Sequence, residues 1–389
     1  MNIAFCYENV MPARGGCETY IADLSRRLVA DCHEVHLYAC RWDAEALPKS
    51  MRYHELSVPS GPRFLRPWRF GTACAQALQE RTHEVTIGFD KTWGQDVLYP
   101  QGGLHAASAL HNIGKHRHGL SRTLARFVRQ LDLAHWSFLR LERKQYLESN
   151  LPIIVVNSHM VAGHFQRYYG ISPERLRVVH SAIDPARFSH SDRPKLRQDS
   201  RKESGIGGDE VVGLFVAMNY RLKGLEPLLR AVALLPQASS FRLIVVGHPR
   251  FQPYARLADR LGIARRVLFL GPRRDVHCCY YASDFLVHST FYDPCSLVVL
   301  EALACGLPVI TTRFNGASEL LHPPREGFVL DSPHDTAKLA KCMSELLDPK
   351  LRNACAEAAR QTAAKWTFEH HYHRLMQVLS EAASKKRAA

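Results

Sequence analysis

The chain has 389 residues, of which 46% are hydrophobic and 23% are charged, a composition that is typical of globular proteins and excludes an intrinsically disordered one. This length allows two domains that each bury a core of their own. The formal net charge of +14 favours an acidic partner, which could be nucleic acid, an anionic membrane or a phosphorylated substrate.

The sequence has no apolar run of about eighteen residues, the length that a membrane-spanning helix needs, and its strand-like start, Met1 to Tyr7, has no basic leader. We therefore expect a cytoplasmic protein without a signal peptide. The eleven cysteines form no CxxC pair, which is the usage of a reducing compartment. Cys278 and Cys279 follow His277 but would point apart on a helix, which favours structural cysteines over a metal site.

In the first half of the chain, short β-rich runs alternate with helical stretches, as in a doubly wound parallel sheet. The predicted strands are Asn2–Tyr7, Glu34–Cys40, Tyr53–Val58, Val85–Phe89, Asp96–Tyr99, Ile153–Asn157 and Arg177–His180. The main predicted helices are Glu18–Ala30, Phe70–Glu80, Ser121–Tyr146 and Val161–Tyr169. The polar, charge-rich run from Ser189 to Gly207 indicates an inter-domain connection, so we predict an N-terminal domain of residues 1–188.

A second alternating series predicts a C-terminal domain of residues 189–366. Its predicted strands are Val211–Ala217, Phe241–Val246, Val267–Leu270, Phe285–His288, Val309–Thr311 and Phe328–Leu330. Its predicted helices are Leu225–Leu234, Tyr254–Leu261, Asp275–Ala282 and Leu297–Ala304, followed by a helical tail from Pro349 to about Ser384. Two such sheets predict a cleft between the domains, where open α/β folds bind their ligands.

The segment from Tyr292 to Thr311 places two carboxylates, Asp293 and Glu301, eight positions apart. Asp293 precedes the predicted helix, Glu301 lies inside it, and Gly306 ends it. A diphosphate on the free N–H groups near residues 296–298 would lie between the carboxylates, where the helix dipole favours an anion. One carboxylate would then bind a sugar hydroxyl and the other the ribose hydroxyls. The alternative is a solvated Glu301 without a ligand.

This segment resembles the Glu-x7-Glu motif of the retaining glycosyltransferases of family 4, which have the GT-B fold. Asp293 replaces the first glutamate, while Glu301 stays in register. The resemblance implies an α/β protein with two Rossmann-like domains facing a central cleft, and a last helix, about 367–389, that packs back on the first domain after the cap Thr367. The segment Gly88 to Lys91, followed by Asp96, resembles the lipopolysaccharide core glucosyltransferase I branch.

Two glycines, Gly15 and Gly16, follow Arg14 between the first strand and a helix, where backbone N–H groups can approach an anion. They do not form GxGxxG, which weakens a dinucleotide site, and such a pair is commonly a tight turn. The resemblance implies that both glycines face the donor diphosphate.

The turn Asn219–Gly224 carries two cations, Arg221 and Lys223, which can offset charge on a leaving diphosphate as a metal does elsewhere. The alternative is a solvated basic turn. The turn resembles the Arg/Lys pair of the family, and the resemblance implies that neither a metal nor another cofactor is needed.

His105 follows a glycine pair at the end of a predicted strand, although one of twenty-one histidines is more often structural than catalytic. The resemblance implies a contact between His105 and the primary hydroxyl of the donor sugar. Arg273 could stack on the base. The resemblance further implies donor contacts by Gly247, Cys295, Ser296, Leu297, Val298 and Glu301.

Basic residues alternate with Trp, Phe and Leu between Lys115 and Lys144, where eight Lys or Arg oppose Asp132 and Glu142, and Arg63 to Phe70 repeats this mixture. It suits the interface of an anionic membrane. An amphipathic helix with its apolar face in the core is the alternative. Nucleic acid is not favoured, because no helix-turn-helix, zinc or RNA-recognition pattern is present.

Together, these features predict a metal-independent, retaining glycosyltransferase that moves glucose or N-acetylglucosamine from a UDP-sugar to a lipid-linked saccharide such as the lipopolysaccharide core, at the inner face of the cytoplasmic membrane. Its predicted catalytic residues are His105, Asp293, Arg221 and Lys223. The alternatives are a GT-B transferase with a soluble sugar-phosphate acceptor, a non-catalytic UDP- or membrane-binding module, and a nicotinamide dehydrogenase, which the lack of GxGxxG disfavours.

Overall fold

The computed structural model describes residues 1–12, 15–116, 119–148, 152–188, 192–237 and 239–388. Arg14, Arg117 and Ser189, which belong to predicted segments, lie outside the described residues. The chain divides into two compact units. The first comprises Met1–Ile113, His118–His180 and His371–Ala389, and the second comprises Gly114–Arg117 and Ser181–His370. The boundaries between the units therefore fall after His180 and before His371, whereas the predicted domain boundaries fell after residues 188 and 366.

A seven-stranded parallel sheet forms the centre of the first unit. Its strands are β1 (Asn2–Cys6), β3 (Glu34–Ala39), β5 (Arg52–Glu55), β6 (Val85–Phe89), β7 (Val97–Tyr99), β8 (Ile153–Val156) and β9 (Leu176–Val178), and the short strands β2 (Asn9–Val10) and β4 (Arg41–Trp42) pair separately. The spatial order is β5-β3-β1-β6-β7-β8-β9. Every residue of β6, β7 and β8 is buried, as expected for strands with helices on both faces.

Six helices connect these strands: α1 (Gly16–Ala30), α2 (Arg66–Gln79), α3 (His105–Gly114), α4 (Gly119–Gln130), α5 (Leu133–Leu147) and α6 (His159–Tyr169). The prediction of one helix over Ser121–Tyr146 was wrong, because the helical structure is interrupted between α4 and α5. There Asp132 caps α5, and its carboxylate accepts a hydrogen bond from the N–H of Ala134 at 2.9 Å. Aspartate at this position satisfies an N–H that has no partner within the helix.

The second unit contains a six-stranded parallel sheet in the order β12-β11-β10-β13-β14-β15. The strands are β10 (Val211–Ala217), β11 (Phe241–Gly247), β12 (Val267–Gly271), β13 (Phe285–His288), β14 (Val309–Thr312) and β15 (Gly327–Leu330). Its helices are α7 (Arg193–Glu203), α8 (Leu225–Val232), α9 (Gln252–Arg260), α10 (Val276–Ala282), α11 (Leu297–Ala304), α12 (Thr336–Glu345) and α13 (Pro349–Lys365). The predicted α/β class with two doubly wound sheets is thus confirmed.

Helix α7 occupies most of the run that was predicted to be a connection, so that prediction was wrong. Its Arg197 and Arg201 reach Asp284, with nitrogen-to-oxygen distances of 2.6 and 2.8 Å. Arg201 is buried, and its guanidinium also donates to the carbonyl oxygen of Ala282 at 2.9 Å. The run looks like a solvated linker because its anchor to the core is an arginine instead of an apolar residue.

The last helix, α14 (Phe368–Ala388), continues into the first unit. Thr367 caps it, since its Oγ1 accepts a hydrogen bond from the N–H of His370 at 3.3 Å. Within the first unit, the hydroxyl of Tyr372 donates to Asp31 at 2.7 Å, and Glu381 pairs with Arg177 at 2.6 Å. Across the described residues, every helix is too short or too polar to cross a bilayer.

Replacing Arg201 with alanine should destabilise the second unit by about 3 kcal/mol, because it leaves Asp284 without one of its two guanidinium partners in a buried site. The free energy of unfolding from urea titration measures this loss. Arg230→Ala is the control, since Arg230 pairs with Glu226 on the surface of α8 and such pairs contribute at most about 1 kcal/mol. Equal losses for the two variants would contradict the anchoring role of Arg201.

Candidate active site

Asp293 is held by the backbone at the edge of the second sheet where β13 and β14 end. Its N–H donates to the carbonyl oxygen of Phe314, and its own carbonyl oxygen accepts from the N–H of Gly316, both at 2.9 Å. The carboxyl ends of parallel strands are where such folds build their sites. These two backbone bonds fix the position of Asp293 independently of its side-chain contacts.

The carboxylate of Asp293 has two partners, and both contact the same oxygen. Oδ2 lies 2.6 Å from Nζ of Lys223 and 3.2 Å from Nε2 of His288. Burial alone would raise the pKa of Asp293, but the pairing with Lys223 and the hydrogen bond from His288 outweigh it and hold the pKa well below its ordinary value. Asp293 is therefore ionised at neutral pH. Among the described residues no partner contacts Oδ1, so this oxygen can accept a ligand hydroxyl.

Lys223 reaches Asp293 because the turn before α8 is tightly folded. The N–H of Lys223 donates to the carbonyl oxygen of Asn219 at 2.9 Å. Gly224 then starts the helix with φ of +83°, and a Cβ there would lie 2.0 Å from the carbonyl oxygen of Ser289. Only glycine fits such an approach. Nζ of Lys223 also donates to the carbonyl oxygen of Tyr292 at 3.1 Å. Within the described part of the chain, this leaves the third donor of the ammonium group for a ligand.

Arg221 lies in the same turn but does not join the ion pair. Its side chain is exposed, and a guanidinium nitrogen lies 3.1 Å from Nδ1 of His116. The structure thus brings Lys223 to Asp293, and it places Arg221 on another contact.

Glu301 lies within α11, the helix that follows the loop of Asp293, and its environment differs from that of Asp293. Its Oε2 accepts a hydrogen bond of 2.5 Å from the hydroxyl of Tyr280 on α10. Burial raises the pKa of Glu301, although Tyr280 and the charge of Arg187 oppose this shift. Glu301 therefore has less compensation for its charge than Asp293 has, and hydrogen bonds from a ligand would stabilise its ionised form.

Helix α11 begins at Leu297, four residues after Asp293, and has no acidic side chain in its first turn. The N–H groups of Leu297 and Val298 open the helix, where a backbone donor has no acceptor within the helix. Ser296 precedes them without a side-chain cap, and its own N–H donates to Oδ1 of Asn315 at 3.1 Å. Cys295 is buried, and burial raises the pKa of its thiol to about 12. The first turn can therefore receive an anion.

Two other predicted donor residues of the second unit have structural roles of their own. Gly247 ends β11 with φ of +128°, and a Cβ there would lie 2.0 Å from the carbonyl oxygen of Ala217. The close approach of β11 to β10 is therefore sufficient to require a glycine here, without any ligand. Arg273 is exposed and forms a two-point ion pair with Asp275, at 2.9 and 2.7 Å.

In the first unit, Gly15 and Gly16 begin α1. Gly15 is its N-cap with an extended backbone, φ −175°, which any residue adopts. Glu18 lies in the first turn of α1. Its carboxylate already places a negative charge at this helix end, so the site is less favourable for an anion than that of α11.

His105 is the first residue of α3, which the sequence analysis did not predict as a helix. Its Nε2 lies 2.9 Å from Nδ1 of His135. Burial, together with the charges of His135 and Arg129, lowers the pKa of His105 to about 4. His105 is therefore neutral at physiological pH and can donate or accept one hydrogen bond at each ring nitrogen.

Two side chains of the site were missed by the sequence analysis. His288 is buried at the end of β13 and contacts Asp293, and burial lowers its pKa. Asn315 is also buried, and its Oδ1 accepts from the N–H groups of Ser296 and Ala317, both at 3.1 Å. His288 ends one buried strand and Asn315 follows another, and this position is the signal that the sequence offers. Only the folded sheet brings the two side chains to Asp293.

Two family models together match most of the chain. The model described as Glycosyltransferase Family 4 matches residues 14–187, and the model described as Glycosyl transferases group 1 matches residues 197–362.

Relatives of known description align over nearly the whole length. The lipopolysaccharide glucosyltransferase WaaG of Escherichia coli K12 is 26% identical over 366 residues, which cover 93% of this chain and 94% of that protein. The D-inositol 3-phosphate glycosyltransferase of Salinispora arenicola CNS-205 is 27% identical over 403 residues, which cover 95% of this chain and 88% of that protein.

Solved structures share the fold. The crystal structure of WaaG superposes with a TM-score of 0.79 at 24% identity, over 97% of this chain and 99% of that one. The Anabaena protein HepE in complex with UDP-glucose gives a TM-score of 0.71 at 18% identity, over 97% of this chain and 99% of that one.

The two matched domains confirm the resemblance that rested on Asp293 and Glu301. The chain therefore belongs to the glycosyltransferases that join a family 4 domain to a group 1 domain, and it has the GT-B fold.

Proposed function

We propose that this glycosyltransferase is retaining and metal-independent, and that it transfers a hexose, glucose or N-acetylglucosamine, from a UDP-sugar to a lipid-linked saccharide such as the lipopolysaccharide core. The observation that carries the proposal is the environment of Asp293. One oxygen is held by Lys223 and His288, and the other is left for a hydroxyl group. The N-terminus of α11 and the carboxylate of Glu301 follow it four and eight residues later in the chain.

In the proposed complex, the ribose hydroxyls donate to Glu301 and the diphosphate lies against the N–H groups of Leu297 and Val298. The third N–H of Lys223 contacts a phosphate oxygen while the other two stay on Asp293 and on the carbonyl oxygen of Tyr292. A fixed cation and a helix dipole stabilise the negative charge that develops on departing UDP. The resemblance implies two further contacts, which the proposal includes. Arg221 would contact the diphosphate, and His105 would contact the primary hydroxyl of the sugar.

The proposed reaction needs no covalent intermediate. The acceptor hydroxyl attacks the anomeric carbon on the face that UDP leaves, a C–O bond to the acceptor forms, and the C–O bond to the β-phosphate breaks. The proton of the acceptor hydroxyl passes to a β-phosphate oxygen. Asp293 orients the sugar by accepting a hydrogen bond at Oδ1, and attack on the leaving-group face retains the configuration.

The donor and acceptor are proposed from relatives. HepE was solved with UDP-glucose, and WaaG is described as a lipopolysaccharide glucosyltransferase. A soluble sugar-phosphate acceptor is the second candidate, because the Salinispora relative is described as a D-inositol 3-phosphate glycosyltransferase. Assays with a lipid extract and with an inositol phosphate in parallel separate the two.

Helix α4 supports an acceptor at a membrane. Its apolar side chains at spacing i, i+4, i+7 and i+8 are all exposed: Leu120 (89%), Leu124 (63%), Phe127 (59%) and Val128 (59%). None of its described residues is buried, so the alternative of an apolar face in the core is wrong for this helix. Exposed apolar residues beside Arg122 and Arg126 suit the interface of an anionic bilayer. We therefore propose peripheral attachment to the cytoplasmic membrane surface through α4.

Glu301→Ala should lower turnover of the UDP-sugar by more than about tenfold, because the ribose loses a charge-assisted hydrogen bond of about 1.5–3 kcal/mol. UDP release at saturating acceptor measures it, and circular dichroism checks the fold. Glu226→Ala, at a surface pair on α8, is the control and should keep full activity. Unchanged turnover in Glu301→Ala would remove Glu301 from the site.

Treatment with EDTA should leave the rate of UDP release unchanged, because Lys223, Arg221 and the dipole of α11 provide the charge stabilisation that a metal supplies in other transferases. The measurement compares the chelated enzyme with the same sample after addition of Mn²⁺ or Mg²⁺. A rate that EDTA abolishes and Mn²⁺ restores would count against the metal-free scheme.

The double variant Leu120→Ser and Phe127→Ser should bind phosphatidylglycerol-containing vesicles at least about tenfold more weakly than the wild type, because each apolar side chain contributes about 1.5–3 kcal/mol when it leaves water. Co-sedimentation with vesicles measures the affinity. Leu234→Ser is the control, since Leu234 is 59% exposed in the second unit. Equal binding by the wild type and the double variant would argue against docking through α4.

A further inference from the structure

One face of α5 is built around His105. Its side chains at spacing i, i+3 and i+7, which share a face of a helix, are His135, Phe138 and Glu142. His135 bonds the His105 ring at 2.9 Å, and the ring of Phe138 lies 5.1 Å from it between centroids. Glu142 accepts a hydrogen bond from the backbone N–H of His105. Three contacts from one helix thus hold both the backbone and the ring of His105.

Glu142 fixes where α3 begins. Its carboxylate is buried and accepts hydrogen bonds from the N–H groups of His105 and Ala106 and from the hydroxyl of Tyr169, the last at 2.7 Å. Burial raises the pKa of Glu142, while these three bonds favour its ionised form. A carboxylate at the N-terminus of a helix is stabilised by the helix dipole. The Cα position of His105 is therefore set by α5.

The ring of His105 is set by a second pair of contacts. Nδ1 of His135 faces Nε2 of His105 at 2.9 Å and Nε of Arg129 at 3.5 Å. Arg129 also donates to the carbonyl oxygen of Ala109 at 3.0 Å, which ties its guanidinium to α3. Arginine can only donate hydrogen bonds, so the tautomer of His135 that suits both neighbours has an unprotonated Nδ1, whose single lone pair faces Arg129 and His105. With this tautomer, Nε2 of His105 carries the hydrogen, and in a neutral ring its Nδ1 is an acceptor.

We propose that Arg129 and His135 are positioning residues that keep His105 in the tautomer whose Nδ1 accepts a hydrogen bond from a hydroxyl group of the sugar substrate. This assignment deepens the proposed function and rests on the contact between His105 and the sugar. Arg129 and His135 touch no substrate themselves. They act by fixing which ring nitrogen of His105 is free and by keeping a proton off it.

The charges around His105 determine its dependence on pH. The ionisable groups that face it are His135, Glu142 and Asp132 at α5, Arg129 at α4 and Lys91 after β6. Burial, the charge of His135 and the charge of Arg129 together lower the pKa of His105 to about 4. A lowered pKa means that the ring becomes protonated only in acid, where Nδ1 can no longer accept. Removing the charge of Arg129 should therefore move the loss of activity to higher pH.

The test compares two replacements of His135, assayed as UDP release from whichever of UDP-glucose or UDP-N-acetylglucosamine the wild type turns over, with a membrane-lipid extract as acceptor. His135→Phe keeps the ring and loses the acceptor, and kcat should fall about tenfold, the cost of about one hydrogen bond of 1.4 kcal/mol. The KM for the donor should change less than about twofold, because the contacts to UDP are untouched. His135→Asn restores an acceptor oxygen near the Nδ1 position and should recover most of the rate.

The second part of the test follows kcat/KM with pH. The wild type should keep a flat profile down to about pH 5, and Arg129→Gln should show an acid limb at higher pH, nearer the ordinary pKa of histidine. Arg140→Gln removes the same charge from an exposed position of α5 and should not move the limb.

Each outcome has a distinct meaning. Equal losses in His135→Phe and His135→Asn, or an unmoved limb in Arg129→Gln, would overturn the positioning role while leaving the proposed function standing. A wild type that releases no UDP from either donor would overturn the proposed function, and the assignment of His105 with it.

Discussion

The ion pair between Lys223 and Asp293 is the interaction on which the candidate site depends. A largely buried carboxylate is costly unless its charge is compensated by a cation and by hydrogen bonds, and here Lys223 and His288 share one oxygen of Asp293 at 2.6 and 3.2 Å. The glycine before α8 and the two backbone bonds of Asp293 bring the partners together. Among the residues that the structure describes, one carboxylate oxygen and one ammonium hydrogen of the pair have no partner, and these are the groups that a sugar hydroxyl and a phosphate need.

The two carboxylates of the motif differ in charge compensation, and this difference separates their proposed roles. Asp293 has a cation at contact distance and a pKa well below its ordinary value, whereas Glu301 has a tyrosine hydroxyl and a raised pKa. Paired groups whose environments shift their pKa values in opposite directions are typical of functional sites. Asp293 is anionic without a ligand, while Glu301 gains from the hydroxyl groups that a ribose would bring.

The sequence pattern was sufficient for the sheets and for the helix that carries Glu301, because their apolar residues have the period of buried strands and helices. It failed for α7, which Arg201 anchors to Asp284 beside β13, since a buried ion pair has the same residue types as a solvated surface. The partnership of His288 with Asp293 was also out of reach, because a single histidine at a strand end does not reveal its neighbours. Of the predicted site residues, Lys223 and Asp293 were found in contact, whereas Arg221 and Arg273 have other partners.

The most direct test of the account is nucleotide release from a panel of UDP-, GDP- and ADP-sugars, first without acceptor and then with a membrane-lipid extract. We expect nucleotide release from one UDP-sugar, at a rate that rises when the extract is added. UDP should also raise the melting temperature, since a ligand that binds the folded state stabilises it. If no nucleotide is released from any sugar of the panel and UDP does not raise the melting temperature, the assignment of Asp293, Lys223 and Glu301 to a UDP-sugar site is contradicted.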